Sequence, residues 1–528
     1  MNNKIKKVLL LLLVSILVLS GCTGNNVKNN PGDDGENSQG VEQKKELVYA
    51  TTGDPATLDP IYADDMESGN FISNIYDTLN TFDVGTTNVT TGLSESYEVS
   101  EDGKIYTLKI RKGVKFHDGT PCNAEAVKFN IDRQLPPNEV DDMPYAEVLF
   151  GEVEKTEAID EYTVKITLKN PNTAFLSNLA IAEAGIASPT AIKKYGDKIS
   201  ENPVGTGPYK LVKWEKGQYI ILERNEDYWD TKPAIQKITF KFIKDKKKIA
   251  DGLIDGSIQL THAVDGNDIQ RLEQSKILVQ KETGLNISYM GMNTKSGETA
   301  NPKMREAIVR AINRDEIVKL LYSGFSDRAD TFIPKGMMGH NSKVAPYEFD
   351  LDKSKAILKE LGKENVTLRF SAYDITKLYN QAGGKALAEV IKNQLEKAGF
   401  KVIIDLKPWD EFNDEQPNFN YDIIIDGWTS DNGDPDNFIH LLDSQAIGNL
   451  NFSGYSNPTV DNLIKKGKIL PNGPERSKVY EDIQEILTKD APVLPISTAV
   501  ITTANSPKVK NYKLSKVGVS ILRLLDIE

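Results

Sequence analysis

The chain has 528 residues, 39% of them hydrophobic and 27% charged, with a formal net charge of −12. That length exceeds what one hydrophobic core supports, so two or three domains are expected. An acidic chain without a basic block argues against nucleic-acid binding and against a polybasic membrane patch.

Lys4, Lys6 and Lys7 precede an apolar segment over residues 8–19, followed by Ser20-Gly21-Cys22. A basic start, a short apolar core and small residues at its end describe a secretory signal over residues 1–21. The apolar core is too short to span a bilayer, which takes about 20 apolar residues. Leu19-Ser20-Gly21-Cys22 matches the bacterial lipobox, whose cysteine becomes the lipidated first residue after cleavage. Residues 22–45 are polar and rich in Asn, Gly, Asp and Glu; they bury too little surface to fold and read as a flexible tether. Cleavage is expected to leave 507 residues with a charge of −15, held to the membrane by lipid at Cys22 and not spanning it. Cys122 then has no intramolecular disulfide partner and reads as a small, inert, buried residue beside a helix start.

Residues 47–51 are a short strand candidate, followed by the turn-rich Gly53-Asp-Pro-Ala-Thr-Leu-Asp59-Pro60. Tyr106, Leu108 and Ile110 alternate with polar residues and predict a half-buried strand; Val164, Ile166 and Leu168 predict another. Between them His117-Asp-Gly119 turns the chain, and Asn123 can cap a helix from Ala124. Residues 85–203 thus read as a compact α+β unit. Asn202-Pro-Val-Gly-Thr-Gly-Pro-Tyr209 feeds strands near Leu211 and at 219–224. Gly205-Thr-Gly207 is not read as a phosphate loop, because such loops open a helix and Pro208 leads into a strand.

Met304, Ala307, Ile308, Ala311 and Ile312 keep helical spacing, as do Ile317, Val318, Leu320 and Leu321 after Asp315. Leu387, Ile391, Leu395 and Ala398 form one helix face that stops at Gly399. Strands are expected at 401–406 and 421–426, and a late helix through Tyr480, Ile483, Ile486 and Leu487. Helices alternating with strands over 288–496 indicate an α/β domain.

The most informative run is Tyr421-Asp-Ile-Ile-Ile-Asp-Gly-Trp428, followed by Thr-Ser-Asp431-Asn-Gly-Asp-Pro-Asp-Asn-Phe438. It starts as a buried strand and is expected to break into a loop at Gly427. A strand end delivering a tryptophan and a carboxylate suits a site that grips a cation beside an apolar group. Residue type alone leaves Asp431 open between a ligand and a self-capping loop aspartate, and Trp428 between a chamber wall and a core residue. The backbone of Gly427 to Thr429 can pair with an extended peptide, and Trp409 is a weaker wall candidate. Asp434, Asp436 and Asn437 hint at calcium, but the loop lacks the glycine and terminal glutamate of a calcium hand.

This run resembles the corresponding segment of family 5 of the bacterial extracellular solute-binding proteins, and its Asp-Asn-Gly-Asp-Pro-Asp-Asn-Phe form most resembles the dipeptide-binding branch. Tyr106-Thr-Leu-Lys-Ile-Arg-Lys-Gly-Val-Lys-Phe-His-Asp-Gly119, residues 202–209, Asn225-Glu-Asp-Tyr-Trp229 and Met304-Arg-Glu-Ala-Ile-Val-Arg-Ala-Ile-Asn313 resemble the family's other segments, in its order. The resemblance implies an α/β, periplasmic-binding-protein-like fold of type II (cluster C). Two lobes would be joined by a two-strand hinge, with a small α+β domain inserted in the first. Domain I would comprise 46–84, 204–287 and 497–528, domain II 85–203, and domain III 288–496.

It further implies that Asp431 holds a peptide's α-amino group. Dipeptide-binding members use an arginine just before a Tyr-Asn pair for the carboxylate; here Tyr379-Asn380 places Lys377 there, a point charge where the family has a planar fork. A solvated surface lysine is the alternative. The implied function is a monomeric, lipid-anchored receptor on the extracytoplasmic face of the membrane, neither an enzyme nor a carrier of any cofactor. It would close over short peptides, dipeptides first, and deliver them to an ABC permease. A receptor for a nickel chelate or haem is the second reading, although His117, His262, His340 and His440 lack ligand spacing. An exported hydrolase is the third, but neither a G-x-S-x-G elbow nor an H-E-x-x-H helix is present.

Overall fold

The computed structural model describes residues 45–138, 143–430 and 432–528. Asp431, Cys22, the expected signal and all of the expected tether except Lys45 lie outside these described residues.

Strands form where the alternation requires them. Tyr106, Leu108 and Ile110 are buried along Ile105–Ile110, and Val164, Ile166 and Leu168 along its antiparallel neighbour Thr163–Leu168. Ser94–Val99 and Val153–Asp160 complete a four-stranded antiparallel sheet. Helix Ala124–Asp132 packs on it, its first turn capped by the Asn123 side chain, which accepts from the Ala126 N–H. Cys122 is buried just before that helix, and burial pushes its thiol pKa well up, so it is held as an unreactive thiol.

A mixed sheet with twelve strands among the described residues carries the rest. From one edge its order is Lys401–Lys407, Thr367–Tyr373, Ile423–Thr429, Asn286–Met292, Val493–Asn505, Leu260–Thr261, Glu46–Thr51, Lys237–Phe242, Tyr219–Arg224 and Tyr209–Glu215. Leu278–Thr283 and Ser326–Arg328 also pair with Val493–Asn505. Thr367–Tyr373 and Lys401–Lys407 are parallel, so a crossover must join them, and helix Gly384–Ala398 supplies it. That helix buries Leu387, Ile391 and Leu395, each contributing roughly 1.5–3 kcal/mol, and ends at Gly399 in the left-handed conformation.

Two stretches of chain run through both halves of this sheet. One is Leu278–Thr283, which continues past Gly284 and Leu285 as Asn286–Met292; the other is Val493–Asn505. The first half of Val493–Asn505 pairs with residues 288–291 and its second half with residues 278–283. At the junction, a Cβ on Gly284 would stand 2.3 Å from Asn286 Nδ2 and 2.9 Å from Ala499 O, so only glycine permits so close a passage. Separate hydrophobic clusters lie to either side, one around Tyr49, Phe71 and Phe240, the other around Met290, Phe370 and Ile424. A third, around Leu108, Val127 and Phe150, underlies the four-stranded sheet.

Two expectations need correction. Helix Arg314–Tyr322 forms, but Leu320 is 61% exposed. Its core-facing stripe runs through Ile317, Val318 and Leu321, and position 320 falls on the far flank. The strand expected at 421–426 is Ile423–Thr429, shifted towards the carboxyl end.

Candidate functional site

That shift decides how the site is built. Ile423, Ile424 and Ile425 are buried, as a β-branched run should be. Gly427, Trp428 and Thr429 do not break into a loop, because they stay paired with Ser288, Ile287 and Asn286. Ladder pairing outweighs their turn-like composition. The Gly427 N–H points away from this ladder, donating to Asp426 Oδ1 at 2.8 Å, while the Ser430 N–H donates to Leu285 O. Backbone groups alternate between the two edges of an antiparallel strand, so those of Thr429 face the same outer edge as those of Gly427. Among the described residues, no strand pairs with that edge beyond Ile424.

The outer edge borders a cavity of about 920 Å³. Gly427, Trp428, Thr429, Lys377, Tyr379 and Trp409 all line it. Lys377 and Asn380 close a tight turn through reciprocal backbone hydrogen bonds. The turn holds Lys377 Nζ 3.2 Å from the centre of the Trp409 ring, which is itself stacked on Phe412. Burial lowers the lysine's pKa, while Asp426 and Asp410 act to raise it. Lys377 is therefore a half-buried, ring-bound cation and not a freely solvated one.

Asp426 was not singled out from sequence. It is 8% exposed and accepts from the Gly427 N–H, from the Tyr379 hydroxyl at 3.4 Å and from the Tyr289 hydroxyl at 3.5 Å. Burial raises its pKa to about 7, against the pull of those donors and of Lys377. The available signal was a carboxylate closing a run of buried isoleucines, a place where unpaired charge is rare. Tyr379 reaches Asp426 only because position 427 is glycine: a Cβ there would stand 2.1 Å from the tyrosine ring.

Trp428 unites the two readings left open for it. It packs against the Phe438 and Tyr480 cluster and also lines the cavity, its Nε1 donating to Asn437 Oδ1 at 2.6 Å. Asp434 and Asp436 bind an arginine, which accounts for the pattern that hinted at calcium. The fully buried Arg476 donates from both terminal nitrogens to Asp434, at 2.7 and 2.8 Å, and to Asp436 at 3.0 Å. Tyr480 also donates to Asp436.

On the facing wall, Asp77 accepts from Trp229 Nε1 at 2.7 Å, Thr206 at 2.8 Å and the Tyr228 hydroxyl at 3.0 Å. Two of the quoted sequence segments therefore converge on one carboxylate, whose pKa burial raises. A Cβ on Gly205 or Gly207 would strike the backbone of Ile75, so these glycines serve close packing. His117 locks the loop, its N–H donating to Gly205 O and its Nε2 to Gly207 O. Burial lowers its pKa to about 4, keeping the ring neutral.

The small sheet's loops bridge to the other side of the cavity. Thr173 donates its N–H and hydroxyl to Lys468 O and the same hydroxyl to Leu470 O, while Asn432 donates to Asn178. The Thr173 contacts meet carbonyls at the end of helix Pro458–Ile469, which lack partners within their own helix. Among the described residues no histidine lines the cavity, no group of three or more His, Cys, Asp or Glu side chains is placed to hold a metal ion, and no helix is long and apolar enough to cross a membrane.

Two half-sheets, two strands running through both and a deep cavity beside them define a binding protein of the type II periplasmic class, with a small α+β domain added to one lobe. Residues 88–449 match the family described as bacterial extracellular solute-binding proteins, family 5 middle. The chain is 32% identical to the dipeptide-binding protein of Escherichia coli K12, over 92% of this chain and 95% of that one. It is 30% identical to heme-binding protein A of Haemophilus influenzae, over 97% of each. Among solved structures, the ABC transporter-associated periplasmic binding protein DppA of Helicobacter pylori, in complex with the peptide STSA, superposes with a TM-score of 0.74. That similarity carries 31% identity and covers 92% of this chain and 99% of that one. The chain belongs to family 5 of the bacterial extracellular solute-binding proteins; it is a solute-binding protein and not an enzyme.

Proposed function

We propose that this protein captures short peptides, dipeptides first and longer ones next, between two closing lobes and hands them to the permease of an ABC importer. The observation that carries this reading is the edge at Gly427 and Thr429, which no described strand pairs with and which borders a walled cavity. An extended peptide adds to such an edge as a strand, with side-chain identity left to roomy pockets. Trp428 and Trp409 supply the walls, with Tyr379 beside them, and Lys377 is the proposed partner of the peptide's carboxylate. Asp431, which directly follows this edge in sequence, is the proposed partner of the α-amino group. The peptide-binding relatives named above support the same ligand class.

In this reading residues 46–84, 204–287 and 497–528 form domain I, residues 85–203 domain II, and residues 288–496 domain III, with the two crossing strands as hinge. The mature protein is a monomer tethered to the extracytoplasmic face of the cell membrane through lipid on Cys22. No observation at the cavity favours a haem or nickel-chelate ligand. Native mass spectrometry of the freshly purified protein tests the reading: short peptides should travel with it. Haem or a metal chelate retained in their place overturns it.

A further inference from the structure

Three cations line the cavity among the described residues: Lys377, Lys516 and Arg523. Lys377 lies over Trp409, and Lys516 pairs with Glu282 at 3.3 Å. Arg523 makes neither a hydrogen bond nor an ion pair with any described residue, and its enclosed Nε has no partner. The side chain is half-buried, and its Nε is enclosed without an acceptor, which leaves hydrogen-bonding capacity unused at the cavity. Its neighbour Asp77 does not close on it, being held by Trp229, Thr206 and Tyr228.

The backbone that presents Arg523 is fixed. Leu522 and Leu525 are fully buried on either side of it. The Ser520 and Leu522 N–H groups donate to the side chains of Asn70 and Asn74 at 2.8 and 3.0 Å, and Asn74 returns a hydrogen bond to Ser520 O. Both asparagines belong to helix Met66–Ile75. A guanidinium presented from a fixed backbone into a ligand cavity, its Nε without an acceptor, suits an oxyanion partner, and a peptide guest supplies one as a carboxylate.

We infer that Arg523 receives a carboxylate of the bound guest, which makes the cavity selective for peptides carrying an acidic group towards the chain's C-terminal tail. This rests on the peptide reading above and adds a specificity-determining residue to it. The carboxylate has two sources: an acidic side chain, with the peptide's C-terminus left to Lys377, or that C-terminus itself, with Arg523 in place of Lys377 as its partner.

Calorimetric titration of the purified full chain and its Arg523→Gln variant with Ala-Ala-Ala, its C-terminal amide and the amide of Ala-Glu-Ala tests this directly. The substitution should weaken binding of at least one carboxylate-bearing peptide by about 30-fold or more and leave the uncharged Ala-Ala-Ala amide within about threefold. A loss confined to Ala-Ala-Ala assigns the C-terminus, and one confined to the Ala-Glu-Ala amide assigns the side chain. Arg523→Lys should retain part of the preference. Unchanged affinities for all three, or an equal loss on all three, overturn the role of Arg523 while the peptide reading stands. If the parent binds only dipeptides, Ala-Ala, its amide and the Ala-Glu amide replace the three probes with the same expected losses; parent protein that binds neither series overturns both.

Discussion

Asp426, in strand Ile423–Thr429, and Asp436, which opens the short helix Asp436–Ile439, are buried acids satisfied in opposite ways. Asp436 sits with Asp434 around Arg476, a cation enclosed with them and anchored further by its Nε to Gly467 O. Burial and the charge of Asp434 push the pKa of Asp436 up, and Arg476 pulls it back. Asp426 has only neutral donors in contact, the Gly427 N–H and two tyrosine hydroxyls, and it opens on the cavity. Burial of a carboxylate therefore does not mark a binding site. An acid closed around its own cation is spent on structure, whereas one held by neutral donors at a cavity keeps capacity for a guest.

The largest test of this contrast is Arg476→Ala. It strands two buried carboxylates and should cost about 3–5 kcal/mol in urea unfolding. Adding Asp434→Asn and Asp436→Asn to the arginine deletion should recover much of that loss, because the uncompensated charge is then gone. Next comes the pH dependence of Asp426. Its folded pKa, about 7, lies above the roughly 3.9 of an unfolded aspartate, so the folded state binds the extra proton between those values. Its stabilising contribution is complete below about pH 4 and is lost as pH rises through about 7. Asp426→Asn should flatten that decline and leave the variant more stable than the parent at about pH 8, on the order of a few kcal/mol, read from unfolding midpoints across the range.

Gly427→Ala pushes a methyl group into the Tyr379 ring and should cost about 1–3 kcal/mol in thermal unfolding, with a larger proportional loss of peptide binding. Smallest is Thr173→Val, which removes hydroxyl contacts of 3.1 and 2.9 Å to the end of helix Pro458–Ile469. It should weaken the bridge across the cavity by about 0.5–1.5 kcal/mol, seen as a larger radius of gyration in solution scattering without ligand.

Period-two and helical patterning located Ile105–Ile110, Thr163–Leu168 and helix Gly384–Ala398, because one buried face writes itself into consecutive residues. Gly427, Trp428 and Thr429 were read from one run, Lys377 and Tyr379 from a Tyr-Asn pair and Trp409 from its place after a strand, and all meet at one cavity. The end of Ile423–Thr429 was misplaced because its pairing partner, residues 286–288, is remote in sequence and overrides local turn composition. Asp77, Arg476 and Arg523 carried no local signal. Each acquires meaning from side chains far along the chain, Trp229, Asp434 and Asn74 among them, that only the fold brings near.

The most direct measurement is calorimetric titration of a free dipeptide and its amino-acetylated form into the parent protein and Asp431→Ala. Recognition of a peptide's positively charged end predicts that the parent strongly prefers the free form and that the variant loses about 2–5 kcal/mol on it while barely changing for the acetylated one. An equal loss for both forms would contradict the assignment.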